Sequence, residues 1–108
     1  MNKYRAKKAT VDWIRFDSQA EARRYGELKL MQRAKEITDL GVHPRFNLVV
    51  AGMQIAIYVA DFRYYDFRAG KMVYEDVKSP ITAKLPEYII KKKLMRALYG
   101  IEIKEVRA

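Results

Sequence analysis

The stretch VYEDVK at Val73–Lys78 is the most informative part of the sequence, because it combines a strand pattern with a concentrated group of charges. Its β-branched and aromatic residues alternate with charged ones, which predicts a β-strand. Successive side chains point to opposite faces of a strand, so Tyr74, Asp76 and Lys78 share one face and Glu75 lies on the other. One face therefore carries a carboxylate and an ammonium group two residues apart. Taken alone, this pair is better explained as an ordinary ion pair than as a chemical site, since charged pairs on strands are common.

The composition limits what kind of protein this is. The chain has 108 residues and no cysteine, which predicts one domain and excludes disulfides and cysteine-based zinc sites. No apolar run approaches the roughly 20 residues of a membrane span, and no secretory signal follows Met1, so we expect a cytoplasmic protein with no membrane partner. The net charge of +9 indicates a polyanionic partner, with nucleic acid ranked first and an acidic membrane surface second. The alternative is a basic structural protein with no such partner.

Basic residues are spread over the N-terminus and the second half of the chain. Residues 1–10 are predicted to form a flexible basic arm, which either contacts phosphates or is a solvated tail. The residues that we expect to contact DNA are Lys3, Arg5, Lys7, Lys8, Lys84, Lys91 and Lys92.

A helix is predicted from Ser18 to about Lys35. Ser18 and Glu21 have the spacing of a capping box, in which each residue satisfies a backbone donor of the first turn. At 100° per residue, Glu21 falls in the same arc as Tyr25 and Leu28, so it faces the body of the domain. Glu21 is therefore either a helix cap alone or a functional carboxylate, and the local sequence favours the cap.

Three strands are predicted after this helix, at Phe46–Val50, Ile55–Tyr65 and Met72–Lys78, with irregular chain at 37–41 before them. A hairpin loop at 66–71 joins the last two. Asp61 interrupts an apolar series in the middle strand, and a buried carboxylate needs a partner. The hairpin brings it near Asp76.

The C-terminal part is predicted to form a helix from Leu85 to a cap at Gly100, followed by a strand at 101–106. The apolar residues expected to pack in the core from this helix are Ile90, Leu94, Ala97 and Leu98. The order helix, three strands, helix, strand predicts an α+β fold with a mixed sheet. We expect Trp13 to be a packing residue and His43, the only histidine, to have no functional role.

Four charged residues are thereby predicted to converge: Glu21, Asp61, Asp76 and Lys78. Carboxylate oxygens are the ligands that Mg²⁺ prefers, usually completed by water and substrate phosphate. A neighbouring lysine can offset the negative charge that grows on a phosphate during hydrolysis.

The spacing of Asp61 and Asp76-Val77-Lys78 resembles the PD-(D/E)XK nuclease superfamily, whose core has the order α-β-β-β-α-β. The chain more closely resembles a small phage and prophage family of unknown function. The matching pieces are Phe16-Asp17-Ser18, Glu21-Ala22, Tyr25, Ile37 to Phe46, Ala60-Asp61-Phe62, Glu75-Asp76-Val77-Lys78 and Tyr99-Gly100-Ile101.

This resemblance implies that Asp61, Asp76 and the carbonyl of Val77 bind Mg²⁺ or Mn²⁺, that Glu21 completes the site and that Lys78 is the catalytic lysine. In two departures from the pattern, alanine stands at position 60 for the proline of the motif, and histidine stands at position 43 for a glutamine.

The resemblance implies a homodimeric endonuclease acting on DNA, with branched DNA such as a Holliday junction as a candidate substrate. A non-catalytic nucleic-acid-binding protein of the same fold is the alternative; its stacking surface would be formed by Tyr64, Tyr65, Phe67 and Arg68.

Overall fold

Two α-helices, a short 3-10 helix at Thr82–Lys84, one four-stranded sheet and two two-stranded sheets make up the described part of the chain, residues 7–108, in a computed structural model. The helices are α1 Gln19–Arg33 and α2 Pro86–Tyr99. The strands are β1 Ala9–Val11, β2 Ile14–Phe16, β3 Ile37–Val42, β4 Arg45–Val50, β5 Met53–Val59, β6 Phe62–Asp66, β7 Lys71–Lys78 and β8 Lys104–Arg107. The main sheet has the order β3-β6-β7-β8, with β8 parallel to β7 and the other pairs antiparallel. The predicted α+β fold with a mixed sheet is therefore confirmed.

The main sheet follows the predicted order α-β-β-β-α-β, but its first strand is not the predicted one. Ile37–Val42, expected to be irregular, forms β3 and pairs with β6. The register shifts between Thr38 and Gly41, and Asp39 has a φ of 57°, so simple alternation is lost in this strand. The predicted strand Phe46–Val50 exists as part of β4, but it pairs with β5 in a separate two-stranded ribbon.

The predicted single strand Ile55–Tyr65 is also wrong, because the chain changes sheets within it. β5 ends at Val59 and β6 begins at Phe62. Between them, the amide of Ala60 donates to the carbonyl of Pro44 at 3.1 Å and that of Asp61 to the carbonyl of Glu75 at 3.0 Å. Because of the break, Tyr58 and Phe62 are buried on opposite faces, although alternation along one strand would place them on the same face.

Two hydrophobic cores lie on opposite faces of β7. The core beneath α1 contains Phe16, Tyr25, Leu28, Ile37, Phe62 and Tyr64. The core beneath α2 contains Leu48, Tyr58, Ala60, Tyr88, Met95 and Ile103. The residues of β7 divide between these cores by alternation, so that Val73 and Val77 pack toward α1 and Tyr74 packs toward α2.

Several smaller predictions are corrected. Trp13 is 98 % exposed at the tip of the β1–β2 ribbon and packs in neither core. Ala9 and Thr10 pair in β1, so the predicted arm of residues 1–10 is ordered at that end. On α2, the predicted core residues Ile90, Ala97 and Leu98 are exposed, whereas Leu94 packs against the core as predicted. The fully buried positions of the helix are Tyr88 and Met95.

The two ends of α2 follow the prediction, and the last strand does not. Pro86 begins the helix, and Gly100 ends it with a φ of 66°, a left-handed conformation that glycine adopts without strain. The last strand begins at Lys104, not at residue 101. Across residues 7–108, neither helix is long and apolar enough to cross a membrane.

Candidate metal centre

The candidate site lies at the point where β6 starts and β7 continues past it. Phe62, the first residue of β6, pairs with Glu75 of β7. Asp61, which precedes it, lies beyond this last pair and contacts β7 through its side chain. Its Oδ2 accepts a hydrogen bond from the amide of Val77 at 2.7 Å. Its own amide donates to Oδ1 of Asp76 at 3.0 Å. The two aspartates are therefore direct neighbours, as the sequence predicted.

The backbone of β7 also presents an oxygen to this point. Neighbouring carbonyls of a strand point to opposite edges, and that of Lys78 accepts from Ala108 on the β8 side at 3.1 Å. The carbonyl of Val77 is therefore directed to the other edge, where the Asp61 carboxylate lies. This orientation matches the ligand role that the superfamily resemblance implies for Val77.

Asp76 is buried, with 2 % of its surface exposed. Its Oδ2 accepts a hydrogen bond from the hydroxyl of Tyr58, which the sequence analysis did not include in the site. Burial, and then the charge of Asp61, raise the pKa of Asp76 to about 6. Asp76 is thus held in place by two donors while its negative charge remains poorly solvated.

Glu21 brings a third carboxylate from the first turn of α1. Its amide donates to Oγ of Ser18 at 3.1 Å, and the Ser18 hydroxyl donates to its carboxylate at 3.2 Å, so the capping contact is present. Glu21 is nevertheless buried and lies within hydrogen-bonding reach of the Asp61 carboxylate. Burial raises the pKa of Glu21, and burial together with the charge of Glu21 raises that of Asp61 to about 7.

His43 lies beside these carboxylates, which the sequence analysis did not expect. One ring nitrogen and one oxygen each from Glu21 and Asp61 lie within 4.8 Å of one another. The residue occupies the turn between β3 and β4, and its amide donates to the carbonyl of Asp61 at 3.0 Å. The only sequence signal was its position before Pro44, at a point where the resembling family has glutamine.

Lys78 completes the site from the far end of β7. Its Nζ lies 4.2 Å from the centre of the Tyr88 ring, a cation–π contact that holds the ammonium group. From there its charge lowers the pKa of Asp61, Asp76 and Glu21, partly opposing the effect of burial. A cleft of about 540 Å³, lined in part by Asp76, Lys78, Tyr88 and Lys91, opens beside it.

Glu75 is excluded from the site, as its predicted face implied. The register of β7 is continuous there, and Glu75 points toward α1. Its two oxygens accept from Nε and Nη2 of Arg24 at 2.9 and 2.8 Å, and the Tyr64 hydroxyl donates to it as well. Because Tyr64 is 1 % exposed and bonded in this way, it cannot contribute to the stacking surface proposed for a DNA-binding protein.

Residues 1–107 match the family described as "Protein of unknown function (DUF1064)". The chain belongs to this family. The comparisons with curated proteins and with solved structures found no match.

The basic residues predicted to contact DNA differ in exposure and in whether they form ion pairs within the protein. Lys3 and Arg5 lie outside the described residues, and Lys7, Lys8 and Lys84 are exposed. Two of them are partly neutralised, since Lys91 pairs with Glu87 and Lys92 with Glu105, each at 2.8 Å. Of the predicted residues within 7–108, Lys91 alone lines the cleft beside Asp76.

The residues present fit a divalent cation. Oxygens of Glu21 and Asp61 lie within 4.8 Å of each other, and Asp76 is bonded to the Asp61 amide. Burial raises the pKa of all three carboxyl groups, a neighbouring carboxylate raises those of Asp61 and Asp76 further, and the charge of Lys78 only partly opposes this. Carboxylate oxygens, a backbone carbonyl and an imidazole are all ordinary metal ligands. The residues that could hold the ion are Glu21, His43, Asp61, Asp76 and Val77.

Proposed function

We propose that this protein is a metal-dependent endonuclease that hydrolyses DNA phosphodiester bonds with Mg²⁺ or Mn²⁺. One observation carries the proposal: the backbone amides of Asp61 and Val77 tie the Asp61 and Asp76 side chains together. Glu21 and Lys78 approach the same point from α1 and from the end of β7. This arrangement supports the superfamily resemblance of the sequence, since it joins the residues to which that resemblance assigns roles.

The residues have separable tasks in such a reaction. A bound cation would supply positive charge that polarises the phosphate and acidifies an attacking water. Asp61 and Glu21 hold the cation, while the Tyr58 hydroxyl fixes the orientation of Asp76. Lys78, held over Tyr88, orients the water or offsets the charge that grows on the phosphate. Lys91, in the same cleft, is placed to contact a neighbouring phosphate.

The test is a cleavage assay on linear, flapped and four-way DNA, each with EDTA, Mg²⁺ or Mn²⁺. The wild type is expected to cut at least one of these substrates when a metal ion is present. Asp61→Asn and Lys78→Ala are each expected to lower the rate at least about 100-fold, as losses of groups that stabilise the transition state do. Glu102→Gln, at an exposed carboxylate outside the site, is the matched control and should cut normally. If the wild type cuts none of the substrates, the proposal fails.

The biological setting is part of the same proposal. We expect action on branched DNA in phage or prophage DNA metabolism, in the cytoplasm of a bacterial cell. A homodimer would place two sites on two strands. Exposed apolar residues on the β4–β5 ribbon support such pairing, and they are Val49, Val50, Met53, Ile55 and Val59.

A non-catalytic nucleic-acid-binding protein is the second candidate, supported by the net charge of +9. Phe67 is 56 % exposed and packs edge-on against Tyr65, so part of the surface predicted for this role remains available. Calorimetry separates the two candidates, because a protein that only binds DNA needs no divalent ion at Asp61 and Asp76.

A further inference from the structure

The turn that carries His43 is fastened to the candidate metal centre at two backbone points. The amide of His43 donates to the carbonyl of Asp61 at 3.0 Å, and that of Ala60 donates to the carbonyl of Pro44 at 3.1 Å. His43 has a φ of 56°, a left-handed conformation that is uncommon for residues other than glycine. The ring is therefore held against the acidic residues by the backbone on both sides of it.

We propose that His43 is a metal ligand and gives the centre a preference for a first-row transition metal ion such as Mn²⁺ over Mg²⁺. This inference rests on the metal centre of the proposed function and not on the cleavage reaction. One ring nitrogen lies within 4.8 Å of both a Glu21 and an Asp61 oxygen, so one ion can contact all three. Mg²⁺ is bound mainly through oxygen and water, whereas transition metal ions accept imidazole nitrogen.

Electron spin resonance of bound Mn²⁺ tests this directly. His43 is the only histidine, so any imidazole coupling in an untagged protein is assigned without ambiguity. We expect one Mn²⁺ per chain, with a nitrogen modulation that changes when the histidine is labelled with ¹⁵N. Mn²⁺ bound without this modulation, or no Mn²⁺ bound, would overturn the inference.

The matched variant is His43→Asn, because asparagine tolerates a left-handed φ and should preserve the turn. Its affinity for Mn²⁺ is expected to fall at least about 10-fold, because the loss of a residue that only orients a metal ligand already has an effect of this size. Its affinity for Mg²⁺ should change by less than that. Equal losses for both ions would overturn the stated preference. DNA cleavage is not used as a readout, so the endonuclease proposal and this one can fail separately.

A second inference concerns Trp13 and rests on a different observation. The β1–β2 turn places Asp12 and Trp13 at φ values of 51° and 65°, the pattern of a type I′ hairpin. Glycine is favoured at the second of these positions, yet a tryptophan stands there with 98 % of its surface exposed. Neither folding preference nor core packing accounts for an indole at this place.

We infer that Trp13 stacks on an unpaired base of bound DNA. Exposed Arg15 lies two residues after the indole, exposed Lys7 and Lys8 lie at the other end of the same ribbon, and Asp12, beside the indole, is bonded to Tyr25 and Lys29. The surroundings are therefore net positive and suit a phosphate backbone. Asp12, next to the indole, is bonded to Tyr25, and Tyr25 lies about one helical turn after Glu21 on α1.

Trp13 is the only tryptophan, so its fluorescence reports this contact alone. We expect DNA with unpaired bases to change the emission, and fully paired linear DNA to change it less. Trp13→Gly suits the turn and should fold, but bind the unpaired DNA roughly 5- to 100-fold more weakly. The slope of its affinity against salt should stay unchanged, because no phosphate contact is lost.

An unchanged emission on DNA binding, or an unchanged affinity of Trp13→Gly, would overturn the stacking inference. Lys7→Ala with Lys8→Ala is the contrasting variant, since loss of phosphate contacts should reduce the salt slope. Because this inference rests on DNA as the partner, binding is measured with Asp61→Asn, which lacks cleavage under the endonuclease proposal. A failure of stacking would leave that proposal intact.

Discussion

Two adjacent carboxylates on β7, Glu75 and Asp76, are both buried and yet have opposite surroundings. Glu75 accepts two hydrogen bonds from the Arg24 guanidinium and one from Tyr64, so its charge is fully compensated. Asp76 accepts only from an amide and a hydroxyl, and the neighbouring charge that affects its pKa most is that of another carboxylate, Asp61. Burial alone therefore does not indicate a functional carboxylate, whereas burial without a matched positive partner does.

Removing the partner of Glu75 should have the largest effect on stability. Arg24→Met removes the guanidinium that bonds a fully buried carboxylate and leaves it only the more distant Lys104 ammonium at 3.9 Å, so we expect the free energy of unfolding to fall by about 3–5 kcal/mol. Urea denaturation measures this. Glu27→Gln is the control, since it removes only an exposed partner of Arg24 and should change stability by less than about 0.5 kcal/mol. A small effect of Arg24→Met would show that the two carboxylates do not differ in the way described.

The pH dependence of stability should come from Asp76 and its neighbour Asp61, not from Glu75. The folded pKa values of Asp61, about 7, and Asp76, about 6, lie above the ordinary value of 3.8. Between about pH 4 and pH 7 the folded protein therefore holds more protons than the unfolded chain, so its stability falls as the pH rises. The slope is at most about 1.4 kcal/mol per pH unit for each retained proton.

Thermal unfolding in EDTA between pH 5 and pH 8 tests this prediction. Addition of Mn²⁺ should remove most of the loss at the upper end, because a bound cation replaces the protons. The double variant Asp61→Asn with Asp76→Asn should lose most of this dependence and keep the part that comes from the buried Glu21. A wild-type melting temperature that is constant or rises from pH 5 to pH 8 without metal would contradict the assigned shifts.

Asp76→Asn alone should stabilise the metal-free protein at pH 8, by about 1 kcal/mol. The amide keeps an acceptor for the Asp61 N–H and removes a buried charge that lacks a partner. Urea denaturation in EDTA measures the change, and Glu102→Gln is again the exposed control. If Asp76→Asn is destabilising to the same extent as Arg24→Met, Asp76 is a structural residue like Glu75.

The comparison also explains how much the sequence could predict. Alternation within Val73–Lys78 placed Glu75 and Asp76 correctly, because β7 is continuous and paired on both sides. The same rule failed across Ile55–Tyr65, since the chain passes from one sheet to another at Ala60 and Asp61 through long-range backbone bonds. It missed β3 because a register shift and a left-handed Asp39 hide the pattern.

The site was predictable where residues are fixed by their own element, and not where distant segments meet. The neighbours Glu21, Asp61, Asp76 and Lys78 follow from helix and strand periodicity with a hairpin. Tyr58, Tyr88 and His43 join the site through tertiary contacts that no local pattern reports. Trp13 shows the converse, because an apolar side chain was assumed to be buried although its turn leaves it in solvent.

The smallest expected effect separates the two roles left open for Glu21. Ser18→Ala removes the acceptor of the Glu21 amide and should destabilise the protein by about 1 kcal/mol, the usual loss for a helix cap. Glu21→Gln keeps that amide bond and still accepts from the Ser18 hydroxyl, so its stability without metal should be unchanged or slightly higher. If Glu21 is a ligand, the same variant binds Mn²⁺ at least about 10-fold more weakly by calorimetry. Unchanged Mn²⁺ binding would assign Glu21 to the cap alone, and would place the metal centre on Asp61 and its neighbours in β7.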